Sequence, residues 1–536
     1  MTDASRVPRV LDCTLRDGGY YNAWDFRPEL VAAYFRSVED ANLDAIELGF
    51  RMPPAAEYLG PFAYTTDAYL RDVDLPKGPL LGVMCNGSDL VGDPVNVIDA
   101  MFGPCDDSPI GLVRIAAHFR EVDACRPAVQ RLRELGYRVG FNVMQASVKP
   151  VDEVRATAAA INDWGLVEVL YFADSLGDMN REQVESLIDV IGSEWGGELG
   201  IHTHDNRSRA LDNTLAGFEA GVTWLDATIL GMGRGAGNCR SDFLLFELAE
   251  RGHDRYRAEA LLEVTEVDFR ELQREHGWGA NLLYFKSATD SIHPSYVQFM
   301  QADDRYGWAE MVDVLNVLPT LGGLSFKSQN VAAASTSHIS DGDGDWDATG
   351  WLDGRRVLIV GSGPSTVQHR DAIASLAERE QVAVLCLNTT SSLAPDLIDA
   401  YVACHSARLL LESRRIQSLH SKLVAPARAL DVLGEEHEGI LDFGVSVEAG
   451  TFVVRPTGCT LPSRLALGYA LAIANAGGAT EILLVGMDGY PAGDARQEEV
   501  SALFAAYEAA GDKAPIVALT PTTYQIPQGS IYAPIP

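Results

Sequence analysis

The chain opens with short apolar runs separated by longer stretches in which apolar residues recur every three or four positions. The runs are RVLDCTL (9–15), DAIELGF (44–50), PLLGVMCN (79–86), GLVRIAAHF (111–119), RVGFNVMQ (138–145), VEVLYFADS (167–175), ELGIHTHDN (198–206) and WLDATILGM (224–232). Each has the length and make-up of a buried strand. The stretches between them, such as RPELVAAYFRSVEDANL and REQVESLIDVIGSEW, read as amphipathic helices. Strands that alternate with helices predict βαβ units and a parallel sheet. Eight such units over residues 1–245 predict a TIM (β/α)8 barrel.

Residues 246–331 read as a mostly helical extension, with aromatics in LLYFKSATDSIHPSYVQFM. Residues 332–352 are small, polar and acidic, and read as a solvated linker. Their DGDGDWD does not make a calcium loop, because Trp346 stands where the glycine is needed and Leu352 where the closing glutamate is needed. A second alternation fills residues 353–536. RRVLIVGSGPS is a strand with a Gly-rich turn; QVAVLCLN (381–388), LIDAYVACH (397–405) and EILLVGMDGY (481–490) are further strands; SRLALGYALAIANAGG (463–478) is a core helix. The predicted architecture is α/β: a barrel with a helical extension, linked to an open Rossmann-like α/β domain.

Charge narrows the partners. Lys+Arg number 42 and Asp+Glu 75, for a net charge of −33. A chain this acidic is not built to track nucleic-acid phosphates or anionic membrane surfaces. No uncharged apolar run approaches the ~18 residues of a membrane span, and MTDASRVPRV contains no apolar leader core. The eight cysteines form no CxxC pair and several sit in apolar runs, as reduced buried thiols do. The expectation is a cytoplasmic homo-oligomer acting on small molecules.

In a TIM barrel the chemistry sits at the C-terminal strand ends. His202 and His204, two apart on one strand, point to the same face. Asp17 ends the first strand, separated from the seventh only by the eighth, and completes a His-His-carboxylate set. Asn238, after the last strand, offers a further oxygen. Such mixed N/O ligation with open positions suits Mn²⁺ first, with Mg²⁺, Co²⁺, Zn²⁺ and Fe²⁺ as alternatives. Glu47, on the second strand, either orients a ligand or bound water or serves as a structural carboxylate. A Schiff-base mechanism needs a lysine on a barrel strand. The chain has only Lys77, Lys149, Lys286, Lys327, Lys422 and Lys513, none within the eight strands.

DCTLRDGG, IELGF, HTHDN and GMGRGAGN, in this order on these strands, resemble the signature set of the DRE-TIM metallolyases. That superfamily includes 4-hydroxy-2-oxovalerate aldolases, HMG-CoA lyase, isopropylmalate synthase and homocitrate synthase. The resemblance covers roughly residues 8–245. It implies that Asp17, His202 and His204 bind a divalent metal and that Arg16 contacts the substrate oxyanion. It further implies a metal-dependent aldolase or lyase that cleaves or forms a 4-hydroxy-2-oxo acid from pyruvate and an aldehyde through a metal-stabilised enolate. The alternatives are a Claisen-type synthase joining an acyl-CoA to an α-keto acid, and a non-catalytic binding protein. The sequence departs from the aldolase pattern at Tyr20, where those enzymes carry a basic histidine. The base is left open among Tyr20, Tyr21, Asp25, a metal-bound water and His118. Tyr284 matches a tyrosine that such aldolases bring from a comparable extension. The lyase cysteine of HMG-CoA lyases has no counterpart, since Cys239 comes only after the Gly-rich loop.

In the second domain, Gly361, Gly363 and Ser365 form a turn after an apolar strand, where a phosphate can approach backbone N–H groups. Thr366 takes the place of the third glycine of a dinucleotide fingerprint. GSGPS, LCLN, ALGYALAIANAGGA and LVGMDGY together resemble bacterial sialyltransferase-type nucleotide-sugar domains. That resemblance implies nucleotide contacts near Gly363, Ser365, Asn388 and Asp488. The other readings are a partner dehydrogenase with Cys459 as nucleophile, and a regulatory domain.

Overall fold

The computed structural model describes residues 6–533 apart from 57, 304–305, 337–342, 381, 390, 406–408, 410–412, 417, 427–439 and 491–493. It divides into two compact units: residues 1–298 with 323–326, and residues 299–322 with 327–536. The segment 246–331 is therefore shared between the units rather than being a body of its own.

The first unit is a closed barrel of eight parallel strands in sequence order. They are β1 (Arg9–Asp12), β2 (Ala45–Phe50), β3 (Leu80–Asn86), β4 (Leu112–Ala117), β5 (Arg138–Val143), β6 (Val169–Asp174), β7 (Glu198–Thr203) and β8 (Trp224–Ala227), with β8 pairing back onto β1. Both faces of each strand are buried, which is why the runs read as continuously apolar. Side-chain alternation separates two packing layers. Leu11, Ala45, Leu112, Val169, Tyr171 and Trp224 fill the interior. Val10, Ile46, Val113, Leu170, Ile201 and Leu225 face the surrounding helices.

The first strand is shorter than its apolar run predicts. Asp12, fully buried, accepts hydrogen bonds from Thr14 N (2.9 Å), Thr14 Oγ1 (2.5 Å), Tyr34 Oη (2.7 Å) and Ser241 Oγ (2.5 Å). That local bonding turns the chain into a short helix, Thr14–Gly18, whose residues are all buried. Arg16 and Asp17 are thereby carried off the strand and into the barrel mouth.

The second unit holds a seven-stranded parallel sheet and a small three-stranded one. In chain order the strands are β9 (Arg356–Val360), β10 (Ala383–Leu387), β11 (Ala400–Val402), β12 (Lys422–Ala425), β13 (Ile440–Asp442), β14 (Gly444–Val447), β15 (Val453–Arg455), β16 (Gly458–Leu461), β17 (Glu481–Val485) and β18 (Ile516–Ala518). The large sheet runs β13-β12-β11-β10-β9-β17-β18 and the small one β14-β16-β15. Apolar clusters cover both faces of the large sheet, with Val357 and Ile359 on one and Leu358 and Val360 on the other. The helix Ala466–Ala476 is buried nearly all round, matching its uniformly apolar sequence.

Residues 343–352 overturn the linker expectation. Ala348 and Leu352 are fully buried in the core, Trp346 N donates to Asp442 O (2.9 Å), and the Trp346 ring meets Trp351 edge-on at 5.1 Å. The composition misled because acidic residues alternate with the few apolar ones that anchor the strip. The remainder of that motif, residues 337–342, lies outside the described residues. No described helix is long and apolar enough to cross a membrane.

Gly200 tests the interior packing. A Cβ there would fall 2.2 Å from the Tyr171 ring, which is itself buried and faces the Arg114 guanidinium at 4.5 Å. Gly200→Ala is expected to destabilise the barrel by about 1–3 kcal/mol. Thermal unfolding would show this as a melting point lowered by roughly 2–4 °C per kcal/mol.

Candidate metal centre

Asp17, His202 and His204 meet at the C-terminal end of the barrel, all buried, with one ligand atom of each within 4.8 Å of the others. His202 Nε2 lies 3.5 Å from Asp17 Oδ2, and the two imidazole rings are 5.0 Å apart. The Nδ1 atoms are already engaged. That of His202 donates to Asp226 Oδ2 (3.0 Å), and that of His204 donates to the Asp174 carbonyl (2.9 Å). A carbonyl only accepts, so His204 carries its proton on Nδ1 and presents the Nε2 lone pair to the centre. Asn238 Nδ2 donates to Asp17 Oδ2, while its Oδ1 is buried without a partner.

The electrostatics prepare this set for a cation. Burial opposes the charge on Asp17, but Arg16 and His202 outweigh it and hold the carboxyl well below its usual range. Burial, then neighbouring His202, pushes His204 down to about 3, so it is neutral near pH 7. Burial works against a proton on His202, but Asp17 and Asp226 raise its pKa overall. The three buried carboxyl groups Asp17, Glu47 and Asp226 face two buried guanidiniums, Arg16 and Arg114, and the imbalance favours positive charge at His202 or on a cation beside it. A divalent cation with N/O ligands fits this donor set, the excess negative charge and the orphaned Asn238 oxygen. Cys13, beside His202 and Asp226, does not join it: burial pushes its thiol well up and Sγ donates to Ala227 O (3.6 Å).

Beneath the centre lies a closed ionic network. Arg114 from β4 donates from Nε and Nη2 to Glu47 (both 2.8 Å) and from Nη1 to Asp226 (2.7 Å). Arg16 donates from Nε to Glu47 Oε2 (2.7 Å) and from Nη1 to Asp17 Oδ1 (2.7 Å). Its Nη2 is buried with no partner. Glu47 is thus bonded to two guanidiniums and fixes Arg16 rather than a ligand. Arg114 and Asp226 were not singled out from sequence. A charged residue inside each of the runs GLVRIAAHF and WLDATILGM was the available signal. Asn142, on the interior face of β5 with a partnerless buried Oδ1, was missed in the same way.

The rim carries the candidate bases. Tyr21 Oη donates to Gly235 O (3.1 Å) and shares a hydrogen bond with the Tyr284 hydroxyl; burial pushes both phenols up. The Tyr20 ring packs edge-on against Trp24 at 4.9 Å, with the Arg234 guanidinium 4.6 Å above it. Asp25 is exposed and accepts from exposed Tyr58 (3.0 Å), so it takes no part. Burial lowers the pKa of His118 despite Glu121. Burial, Arg234 and His118 push His293 down to about 3.

In the second unit Gly361, Gly363, Asn388 and Asp488 line a cavity of about 600 Å³. It opens at the C-terminal ends of β9, β10 and β17, where the chain leaves central β9 for one side of the sheet and later returns on the other. Ser365 stands behind it, donating from N (3.1 Å) and Oγ (2.7 Å) to the Asp488 carboxylate. The glycines serve loop packing: a Cβ on Gly363 would fall 2.1 Å from Asp488 Oδ2, and one on Gly361 2.7 Å from Gly486 O. Asp488 occupies the Ser365 N–H that a phosphate on this turn would use. The cavity's cationic side chains are instead Arg464 and Arg496. Burial pushes the Cys459 thiol well up, against a nucleophilic role.

Comparison with known proteins places this geometry. The family model described as HMGL-like matches residues 116–274. A 4-hydroxy-2-oxovalerate aldolase of Carboxydothermus hydrogenoformans is 30% identical over 250 residues, covering 46% of this chain and 72% of that protein. An oxaloacetate decarboxylase of Mycobacterium tuberculosis is 29% identical over 262 residues, covering 47% and 73%. The solved N-terminal domain of a putative aldolase from Bacteroides vulgatus is 28% identical with a TM-score of 0.50, covering 55% of this chain and 96% of that domain.

Asp226 touches the centre only through His202. Asp226→Asn is expected to weaken Mn²⁺ binding by about 10–100-fold, read by calorimetric titration of the purified protein.

Proposed function

The chain belongs to the HMGL-like family of DRE-TIM metallolyases and is a carbon–carbon lyase; from that premise we propose a divalent-metal-dependent aldolase, with Mn²⁺ as its ion, that interconverts a 4-hydroxy-2-oxo acid with pyruvate and an aldehyde. One observation carries the reading: Arg16, clamped at two nitrogens, leaves a buried, partnerless Nη2 beside Asp17. Asp17, His202 and His204, with Asn238 alongside, would hold a divalent cation, which would supply Lewis-acid polarisation of the 2-oxo acid's carbonyl. Arg16 donates to the oxyanion that develops on the same carbonyl oxygen, and its position is set before substrate arrives. It acts by charge, since a guanidinium does not give up its proton.

In the cleavage direction the 4-hydroxyl proton passes to a base and C4 becomes the aldehyde carbonyl. The C3–C4 bond breaks, its electron pair forms the pyruvate enolate, and C3 then takes up a proton. Tyr21 and Tyr284, kept protonated by burial and bonded to each other, are not the proton acceptor. His118 is the rim's remaining candidate acceptor, since His293 Nδ1 already accepts from Ser295 N (3.2 Å). Loss of CO₂ from oxaloacetate, the reaction named for the M. tuberculosis relative, would pass through the same enolate and call on the same Arg16.

For the second unit we propose a nucleoside phosphate as ligand. Asn388 and Asp488 suit ribose hydroxyls, Tyr490 and Tyr524 supply aromatic surface, and Arg464 and Arg496 supply the positive side. Calorimetric titration with the four nucleoside monophosphates should find one that binds below about 1 mM. Arg464→Ala should weaken that binding at least about tenfold, and no binding of any of the four would overturn the assignment.

The primary test is Mn²⁺-dependent exchange of solvent deuterium into the pyruvate methyl group, followed by NMR. Exchange is expected in the wild type and lost in both His202→Ala and Asp17→Asn. A metal-loaded wild type that leaves the methyl protons in place would end the pyruvate-aldolase reading.

A further inference from the structure

The loop joining β8 to Asn238 carries one long cationic side chain, Arg234. The backbone around it is tightly held. A Cβ on Gly233 would fall 2.4 Å from Asn238 Nδ2, one on Gly235 2.8 Å from Pro294 Cβ, and one on Gly237 1.9 Å from Gly231 O. Ala236 N donates to Asn206 Oδ1 (3.1 Å) and Gly235 O accepts from Tyr21 (3.1 Å). Arg234 is thus mounted rigidly, immediately beside the Asn238–Asp17 pair.

Its side chain has no matching partner. The buried arginines of the barrel, Arg16, Arg51 and Arg114, are all ion-paired to carboxylates, whereas Arg234 is half-buried. Among the described residues the Arg234 side chain makes no hydrogen bond or ion pair, and its Nε is buried without an acceptor. Its one contact is the Tyr20 ring. Its charge acts on His118, His293 and His204. A buried guanidinium nitrogen without an acceptor costs stability unless something regularly pairs with it. Arg16 already serves the oxyanion at the centre, so the missing partner lies on the far half of the substrate.

We propose that Arg234 binds an anionic group on the aldehyde half of the substrate, so that the aldehyde is itself an acid, carrying a carboxylate or a phosphate ester. This rests on the aldolase reading above. A planar guanidinium stacked on a phenol ring can donate bidentately to either group, and the substrates in the test separate them.

The test measures kcat/KM for condensation with pyruvate of two matched pairs, 4-oxobutanoate against butanal and glyceraldehyde 3-phosphate against glyceraldehyde. The wild type should prefer the acid of one pair by about 30-fold or more, and that pair names the group. Arg234→Gln should collapse the preference at least about tenfold, and Arg234→Lys should restore part of it. A structural role for Arg234 would lower both members of a pair alike and leave the ratio standing, which would overturn the proposal. So would a wild type that exchanges pyruvate deuterium yet shows no preference in either pair. Absence of the exchange itself would instead strike the aldolase reading beneath it.

Discussion

The barrel site depends on a buried ion cluster that spans three strands. Arg114 of β4 reaches across the interior to Glu47 of β2 and Asp226 of β8, and every charge in it is out of water. Such a cluster is tolerable only when nearly every donor and acceptor is matched, because each desolvated ion costs several kcal/mol. Here the matching does more than offset that cost. Glu47 also grips Arg16, and Asp226 also grips His202. One set of interactions therefore aims both Arg16 and His202. The atoms left unmatched in and beside it include Arg16 Nη2, Asp226 Oδ1 and Asn238 Oδ1.

That arrangement is independent of Tyr20, which stands where the related aldolases carry a histidine. Aiming of the metal set comes from below, from strands β2, β4, β7 and β8, and does not pass through Tyr20. The rim is built separately, from the short loop after Asp17, the glycine-rich loop after β8 and the segment around His293. Tyr20 there serves as a platform for Arg234, and Tyr21 and Tyr284 form a protonated pair over Gly235. On the proposed function, the centre would take the 2-oxo acid and the rim the remainder of the substrate.

The second unit shows how one composition can carry two meanings. Its Gly-rich turn looks like a phosphate cradle, yet the space the glycines free is taken by the neighbouring loop and by Asp488. The acidic strip before it looks like solvated chain, yet Trp346, Ala348 and Leu352 pin it to the core. In both cases the residue types were read correctly and their surroundings were not.

Much was nevertheless legible from the sequence alone. The eight barrel strands, the interior-facing pair His202 and His204, and the placing of Arg16 and Asp17 at a strand end follow from local rules: side-chain alternation, run length and the polar break after an apolar run. Those rules act over a few residues, so they survive without knowledge of the fold. The pairing of Arg114 with Glu47 and Asp226, the isolation of Arg234, the meeting of Tyr21 with Tyr284 and the capture of the Ser365 N–H by Asp488 join residues 67, 112, 263 and 123 positions apart, among others. Whether a buried charge has a partner is decided by which distant side chain closes on it, and only the closed barrel and the folded sheet bring those side chains within reach.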